Sequence, residues 1–68
     1  MIAVTKFSIK TNNITIPKGS RVIVKGVSNS QKIRESYSDL GYEVGDWFYI
    51  IVFDNHETIV NRSQIDIM

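Results

Sequence analysis

Residues 47–53 read Trp-Phe-Tyr-Ile-Ile-Val-Phe, an unbroken run of aromatic and aliphatic side chains. Aromatic and β-branched residues favour strands over helices, so this run predicts the strongest strand of the chain. Residues 54–57, Asp-Asn-His-Glu, follow as a four-residue hairpin connection, and residues 58–60, Thr-Ile-Val, are predicted to pair back on the run. The stretch therefore predicts an antiparallel β-hairpin.

Further strands are predicted on both sides of this hairpin. Residues 4–10 and 14–16 alternate apolar and polar side chains, and the turn 17–20, Pro-Lys-Gly-Ser, leads into a strand at 21–27. In that strand Val22 and Val24 are predicted on one face, and Arg21, Ile23 and Lys25 on the other. Residues 61–67 are predicted to form one tight helical turn and a short closing strand.

Residues 28–46 fit two structures, a short helix or a long irregular loop. For a helix, Ser28 and Gln31 have the spacing of a capping box. One helical face would carry Ile33, Tyr37 and Leu40. Against a helix, Glu35 and Asp39 are a like-charge pair four residues apart. Both structures stay open at this point.

Charge is divided between the two parts of the chain. The first 34 residues hold seven of the eight basic residues and none of the seven acidic ones, which all follow. The formal net charge of +1 hides this division. A surface field of one sign attracts partners of the other sign, so the division matters for binding.

Composition limits the functional classes. The 68 residues predict one domain at most, and the absence of cysteine excludes disulfides and thiolate metal sites. No signal peptide or membrane span is apparent, which predicts a cytoplasmic protein. The single histidine, His56, lies in a turn between Asp54 and Glu57, and no nucleophile–base pair is recognisable. We therefore expect no enzyme, no cofactor and no metal site.

The order of the predicted elements and three local stretches carry a resemblance. Residues 14–24, Ile-Thr-Ile-Pro-Lys-Gly-Ser-Arg-Val-Ile-Val, the triplet 46–48, Asp-Trp-Phe, and the closing turn and strand at 61–67 resemble the SH3-like small β-barrel family. The resemblance implies an all-β, five-stranded barrel over 1–68, with a loop or short helix inserted at 28–46. Of the aromatic residues with which that family binds proline-rich peptides, only Trp47 has a counterpart by position.

The apolar run suggests a contact surface, because an outer strand face normally alternates to polar residues. If Phe48, Ile50 and Val52 point into the barrel, the intervening side chains point outward. The predicted protein-binding residues are Trp47, Tyr49, Ile51 and Phe53, rimmed by Tyr37, Tyr42, Asp39 and Asp46. The competing interpretation is that segment 28–46 folds over this face. A homodimer would also cover it.

The basic part of the chain supports an alternative function, nucleic-acid binding. The residues that would contact nucleic acid are Lys18, Arg21, Lys25, Lys32 and Arg34. The competing interpretation is that cross-strand pairs with acidic residues neutralise them. The favoured hypothesis is a small intracellular protein-binding module, encoded by a phage or mobile element, that modulates or inhibits a host protein. A richness in Ile, Asn and Lys fits an AT-rich genome, such as that of a low-GC bacterium or its phages.

Overall fold

A computed structural model describes residues 1–37 and 40–68. This part of the chain contains seven β-strands, one short α-helix and one 3₁₀ turn. The strands are β1 (Ile2–Thr5), β2 (Ile9–Lys10), β3 (Thr15–Ile16), β4 (Arg21–Ser28), β5 (Phe48–Phe53), β6 (His56–Asn61) and β7 (Ile65–Ile67). The helix α1 is Gln31–Glu35, and the 3₁₀ turn is Arg62–Gln64.

The main sheet is five-stranded and antiparallel, in the order β6-β5-β4-β1-β7. The strands β2 and β3 form a separate two-stranded ribbon. The prediction of an all-β fold is therefore confirmed. The prediction of a closed barrel is not, because within the described residues β6 and β7 are the two edges of an open sheet and do not pair with each other.

The main core lies on one face of the five-stranded sheet, here called the inner face. Its members are Ala3, Ile9, Ile16, Val22, Val24, Ile51, Val60 and Ile65. The prediction for strand 47–53 was wrong in its choice of face: Ile51, expected outward, is 0% exposed, while Tyr49 and Phe53 are half-buried against the same core. Both faces of this strand are apolar, so alternation alone gives no means of choosing between them.

A second apolar cluster lies on the outer face of the sheet. Phe48 and Ile59 are fully buried there, and they pack with Leu40 and with half-buried side chains from the segment after β4. Those half-buried neighbours are Ile33, Tyr37, Tyr42 and Val44, and Ile50 of β5 joins them. Segment 28–46 thus does cover β5, as the competing interpretation had it. It covers the face that carries Phe48, however, and not the face to which the predicted contact residues were assigned.

Strand β4 contains a β-bulge at Lys25. Val24 pairs with Ile51, but Gly26, two residues on, pairs with the adjacent Ile50. The extra residue shifts the alternation of the strand by one position. As predicted, Val22 and Val24 are buried and Ile23 is exposed, but after the bulge Val27 pairs with Tyr49 on the inner-face side.

The β5–β6 hairpin turns through two residues rather than the predicted four. Strand β5 ends at Phe53 and β6 begins at His56. The two residues between them, Asp54 and Asn55, have φ angles of 51° and 65°. Two positive φ angles in succession belong to a type I′ turn, whose twist matches that of the flanking strands. Asp and Asn tolerate this conformation better than other non-glycine residues.

The helix within segment 28–46 exists but is short. Ser30 caps α1, since its Oγ accepts a hydrogen bond from the Ile33 N–H at 3.3 Å. Ser28, the predicted cap, instead accepts from the Ser30 N–H. The helix ends at Glu35, and Asp39 of the like-charge pair lies outside the described residues.

The tight turn predicted at residues 61–64 is confirmed as 3₁₀ structure over Arg62–Gln64. The Gln64 side chain closes it by accepting a 2.7 Å hydrogen bond from the Asn61 N–H. The Asn61 side chain takes part in the same capping box and also bonds to residues before β5. In the described ranges, 1–37 and 40–68, no helix has the length and apolarity needed to cross a membrane.

Candidate protein-binding site

The backbone of loop 43–47, which leads into β5, is held by the side chain of Asn61. Its Oδ1 accepts a 2.8 Å hydrogen bond from the Gly45 N–H, and its Nδ2 donates a 2.8 Å hydrogen bond to the Glu43 carbonyl. One amide side chain thus satisfies a donor and an acceptor of the loop. Because Asn61 begins the 3₁₀ turn, the loop is tied to the end of β6.

A second side chain, that of Arg34 on α1, holds the same loop from the other direction. Its Nη2 donates to the carbonyls of Gly45 at 2.7 Å and Asp46 at 3.0 Å. The guanidinium also lies 5.7 Å from the centroid of the Phe48 ring, within the range of a cation–π interaction. Arg34 therefore joins helix, loop and second cluster.

Three side chains of this fixed loop are turned to solvent, whereas Val44 packs against the second cluster. Glu43 and Asp46 are exposed, and Trp47 is 50% exposed although it is the largest side chain of the protein. Val27 on β4 is 54% exposed and pairs with Tyr49, which follows Trp47 by two residues. We call Val27, Glu43, Asp46 and Trp47 the Trp47 surface.

The structure divides the predicted protein-binding residues. Trp47 and Asp46 lie together on the exposed loop, as expected of a contact site. Ile51 is buried in the main core and is unable to touch a partner. Tyr49 and Phe53 are half-buried against that core. Asp39 lies outside the described residues, so its place in the predicted rim stays a prediction.

The two predicted rim tyrosines both have structural contacts. The Tyr42 hydroxyl donates a 2.7 Å hydrogen bond to the Ile59 carbonyl, and burial raises the pKa of this phenol. The Tyr37 hydroxyl donates to Glu57 Oε2 at 3.1 Å. Burial raises the pKa of Tyr37, and the hydrogen bond to the Glu57 carboxylate raises it further. Both tyrosines fix the cover over the second cluster.

Two of the basic residues of the alternative function have partners within the fold. Arg34 is engaged with the loop backbone, and Lys25 forms a 2.7 Å ion pair with Glu57. The competing interpretation of charge pairing therefore applies to Lys25. The exposed residues with no ion pair inside the described ranges are Lys18, Arg21 and Lys32.

Glu57 joins three elements of the fold. It receives hydrogen bonds from Lys25 on β4 and from Tyr37, which follows α1. The bond from Lys25 lowers the pKa of the Glu57 carboxyl, and the bond from Tyr37 adds to this effect. Although exposed, Glu57 thus links the helical cover to the sheet.

A cavity of about 290 Å³ opens beside this link. Its walls come from the turn between β2 and β3, from the chain after α1, and from the start of β6. They are mostly polar and include Thr11, Asn13, Ser36, Tyr37, His56 and Thr58. In the described residues, no group of three or more His, Cys, Asp or Glu side chains is arranged to hold a metal ion.

Sequence reasoning missed Asn61 and Arg34 as the residues that shape the site. Arg34 lies 11 and 12 residues from its loop partners, and Asn61 lies 16 and 18 residues from its own. No local pattern marks contacts at such separations. No protein-family model matches the chain, and no curated protein or solved structure is significantly similar to it.

Proposed function

We propose that this protein is a protein-binding module and that its contact surface is the Trp47 surface. The observation that carries the proposal is the contrast between backbone and side chains in loop 43–47. Four hydrogen bonds from Asn61 and Arg34 hold the loop backbone, while Glu43, Asp46 and Trp47 extend into solvent.

A fixed loop lowers the cost of binding. Ordering a flexible segment on association consumes part of the interaction free energy, and a preorganised segment avoids this loss. Tryptophan is enriched among residues that dominate protein–protein binding energy, because it buries a large area with few rotatable bonds. An exposed tryptophan on a held loop therefore supports a binding role better than a structural one.

The charges around Trp47 define the chemistry of the partner. Glu43 and Asp46 are exposed on the same loop, and the described residues give neither carboxylate a salt bridge. Complementary charge at the rim of an interface increases the association rate and excludes partners of like charge. We infer a protein partner with an apolar pocket for Trp47 and basic residues around it.

The same proposal includes an SH3-like arrangement of the sheet. Its support is the strand order β6-β5-β4-β1-β7, the two-stranded ribbon between β1 and β4, and the 3₁₀ turn before the last strand. In such an arrangement Trp47, directly before β5, would correspond by position to an aromatic residue of the peptide groove in that family. That the module modulates or inhibits a host protein stays a prediction.

Nucleic-acid binding has less support from the geometry. Such a site needs several basic side chains that reach one backbone of phosphates. Two of the five predicted residues, Lys25 and Arg34, already have carboxylate or carbonyl partners. The remaining three, Lys18, Arg21 and Lys32, come from a turn, a strand and the helix.

The test compares capture by three versions of the full chain. Wild type, Trp47→Ala and the control Phe7→Ala are immobilised, since Phe7 is also an exposed aromatic side chain, 58% exposed, but lies outside the Trp47 surface. We expect a protein that wild type and Phe7→Ala retain and that Trp47→Ala loses. The affinity of that purified protein should fall at least tenfold with Trp47→Ala, the effect of about 1.4 kcal/mol.

Two results would contradict the proposal. One is equal retention of every captured protein by wild type and Trp47→Ala. The other is binding to a mixed-sequence oligonucleotide that weakens steeply between 50 and 200 mM salt, roughly 10³-fold for six or more phosphate contacts, and ignores Trp47→Ala. The second result would favour the nucleic-acid alternative.

A further inference from the structure

A row of apolar side chains crosses the outer face of the sheet. Ile2 pairs with Ile23, and Ile23 pairs with Val52. Met68 extends β7 and donates a backbone hydrogen bond to the Ile2 carbonyl at 2.9 Å, which places it beside Ile2. Directly opposed residues in antiparallel strands share a face. The outer row, as we call it, therefore contains Met68, Ile2, Ile23 and Val52, from four adjacent strands.

The outer row is the part of this face that the helical cover leaves open. Further along β5 and β6, Phe48 and Ile59 are fully buried under the second cluster. In the row itself Met68 is 66% exposed, Ile23 is 52% exposed and Ile2 is 42% exposed. Apolar side chains exposed in one continuous group mark an interaction surface.

The charges that border the outer row are mixed in sign. On one side Lys6 and Asp66 form an ion pair at 3.3 Å, and on the other Lys25 and Glu57 form one at 2.7 Å. Arg21, which pairs with Val4, adds a further cation to the border. A border with one sign would repel its own copy, whereas a border with both signs offers each cation an anion on a second copy.

We propose that the outer row is the interface between two copies of this chain. Mixed border charge favours a second copy over a strongly basic or strongly acidic partner. A stable interface buries about 800 Å² on each partner. Four strands spaced about 4.8 Å apart make the row about 15 Å wide, which is smaller than such an interface. The dimer is therefore weak and depends on protein concentration.

This interface is separate from the Trp47 surface. The bulge at Lys25 places Ile23 on the outer face and Val27 on the inner-face side of the same strand. The dimer therefore leaves Trp47 free to bind a partner. Because the two surfaces do not overlap, failure of one proposal leaves the other standing.

The experiment is sedimentation equilibrium of the full chain over a wide concentration range, at 50 mM and 500 mM salt. Ile23→Asp is the test variant, and Val27→Asp is its matched control. The two positions lie on one strand and have nearly equal exposure, 52% and 54%. We expect wild type and Val27→Asp to pass from 7.8 kDa toward twice that mass with rising concentration at both salts. Ile23→Asp should stay at 7.8 kDa throughout.

A second measurement on wild type removes any dependence on variant folding. Isoleucine methyl NMR signals are followed from dilute to concentrated protein. The signals of Ile2 and Ile23 should shift, while that of the buried Ile65 should not. The proposal would be overturned if wild type stays monomeric or if Ile23→Asp leaves the dimer unaffected. It would also be overturned if high salt abolishes the association, or if the signals of Ile2 and Ile23 do not shift.

Discussion

The connections at the two ends of the strand β5 are held in different ways. The turn at Asp54 and Asn55 is held by its own backbone conformation, with two positive φ angles between paired strands. Loop 43–47, at the other end, is held by side chains of Arg34 and Asn61 that come from other elements. A turn of the first kind is encoded locally, whereas a loop of the second kind exists only after the sheet and helix have formed.

Removal of the Asn61 side chain, which holds loop 43–47, should cause the largest loss of stability. Asn61→Ala leaves the Gly45 N–H and the Glu43 carbonyl without their partner and should lower the free energy of unfolding by about 2 kcal/mol. Chemical denaturation measures the loss, and amide exchange should show lost protection at Gly45. The matched control, Asn29→Ala at an exposed position, should change stability by less than about 0.5 kcal/mol. Equal losses in both variants would mean that Asn61 does not hold the loop.

Removal of the Arg34 side chain should cause the next largest loss of stability. Arg34→Ala removes two hydrogen bonds to carbonyls and the contact with the Phe48 ring, so we expect a loss of about 1.5 kcal/mol. Lys32→Ala, two residues away on the same helix and exposed, is the control and should be nearly neutral. If Arg34→Ala also weakens partner binding without moving Trp47 into the core, the fixed loop contributes to affinity by preorganisation.

A substitution in the turn at Asp54 and Asn55 should raise the stability of the protein. Asn55 has a φ of 65°, and glycine adopts this conformation without steric cost, so Asn55→Gly should raise stability by about 0.5 kcal/mol. Thermal unfolding checks the direction. Gly19→Ala is the reverse control: Gly19 has a φ of 83° and open space around it, so the variant should lose stability through backbone strain alone. A destabilised Asn55→Gly would show that the asparagine side chain itself supports the turn.

Acid should weaken a third kind of interaction, the hydrogen bonds that Glu57 accepts from Lys25 and Tyr37. The folded protein lowers the pKa of this carboxyl below its ordinary value of 4.5, through Lys25 and then Tyr37. A lowered pKa contributes stability that is present above the unfolded value and is lost as pH falls through the folded value. Wild type should therefore be more stable than Glu57→Gln at pH 7, by a small margin that closes below pH 4.5. A margin independent of pH would contradict this link.

Local patterns were enough to predict part of the fold. The hairpin of β5 and β6, the strand at residues 21–27 and the 3₁₀ turn follow from runs of strand-forming residues and from turn residues at their ends. Each depends on residues that are neighbours in the chain. The position of the short helix could be suggested from local residues for the same reason, although Ser30 rather than Ser28 caps it.

Local patterns could not predict which face of each strand is buried. Residues 47–53 are apolar at every position, so Ile51 and Phe48 gave equal reason to be buried, and both are. The bulge at Lys25 inverts the second half of β4, and its only local mark is Gly26, a glycine inside a strand, which did not lead to its prediction. Of the candidate site, Trp47 and Asp46 could be predicted because they are local, whereas Arg34 and Asn61 act across the fold.

The fixing of loop 43–47 from outside has a consequence for how this protein can change over time. Since Arg34 and Asn61 bind only backbone atoms of the loop, none of these four hydrogen bonds depends on the side chains of Glu43, Asp46 and Trp47. Those three positions can diverge, or be redesigned, without refolding the domain. Under the function that we propose, one framework would therefore carry different contact residues for different partners.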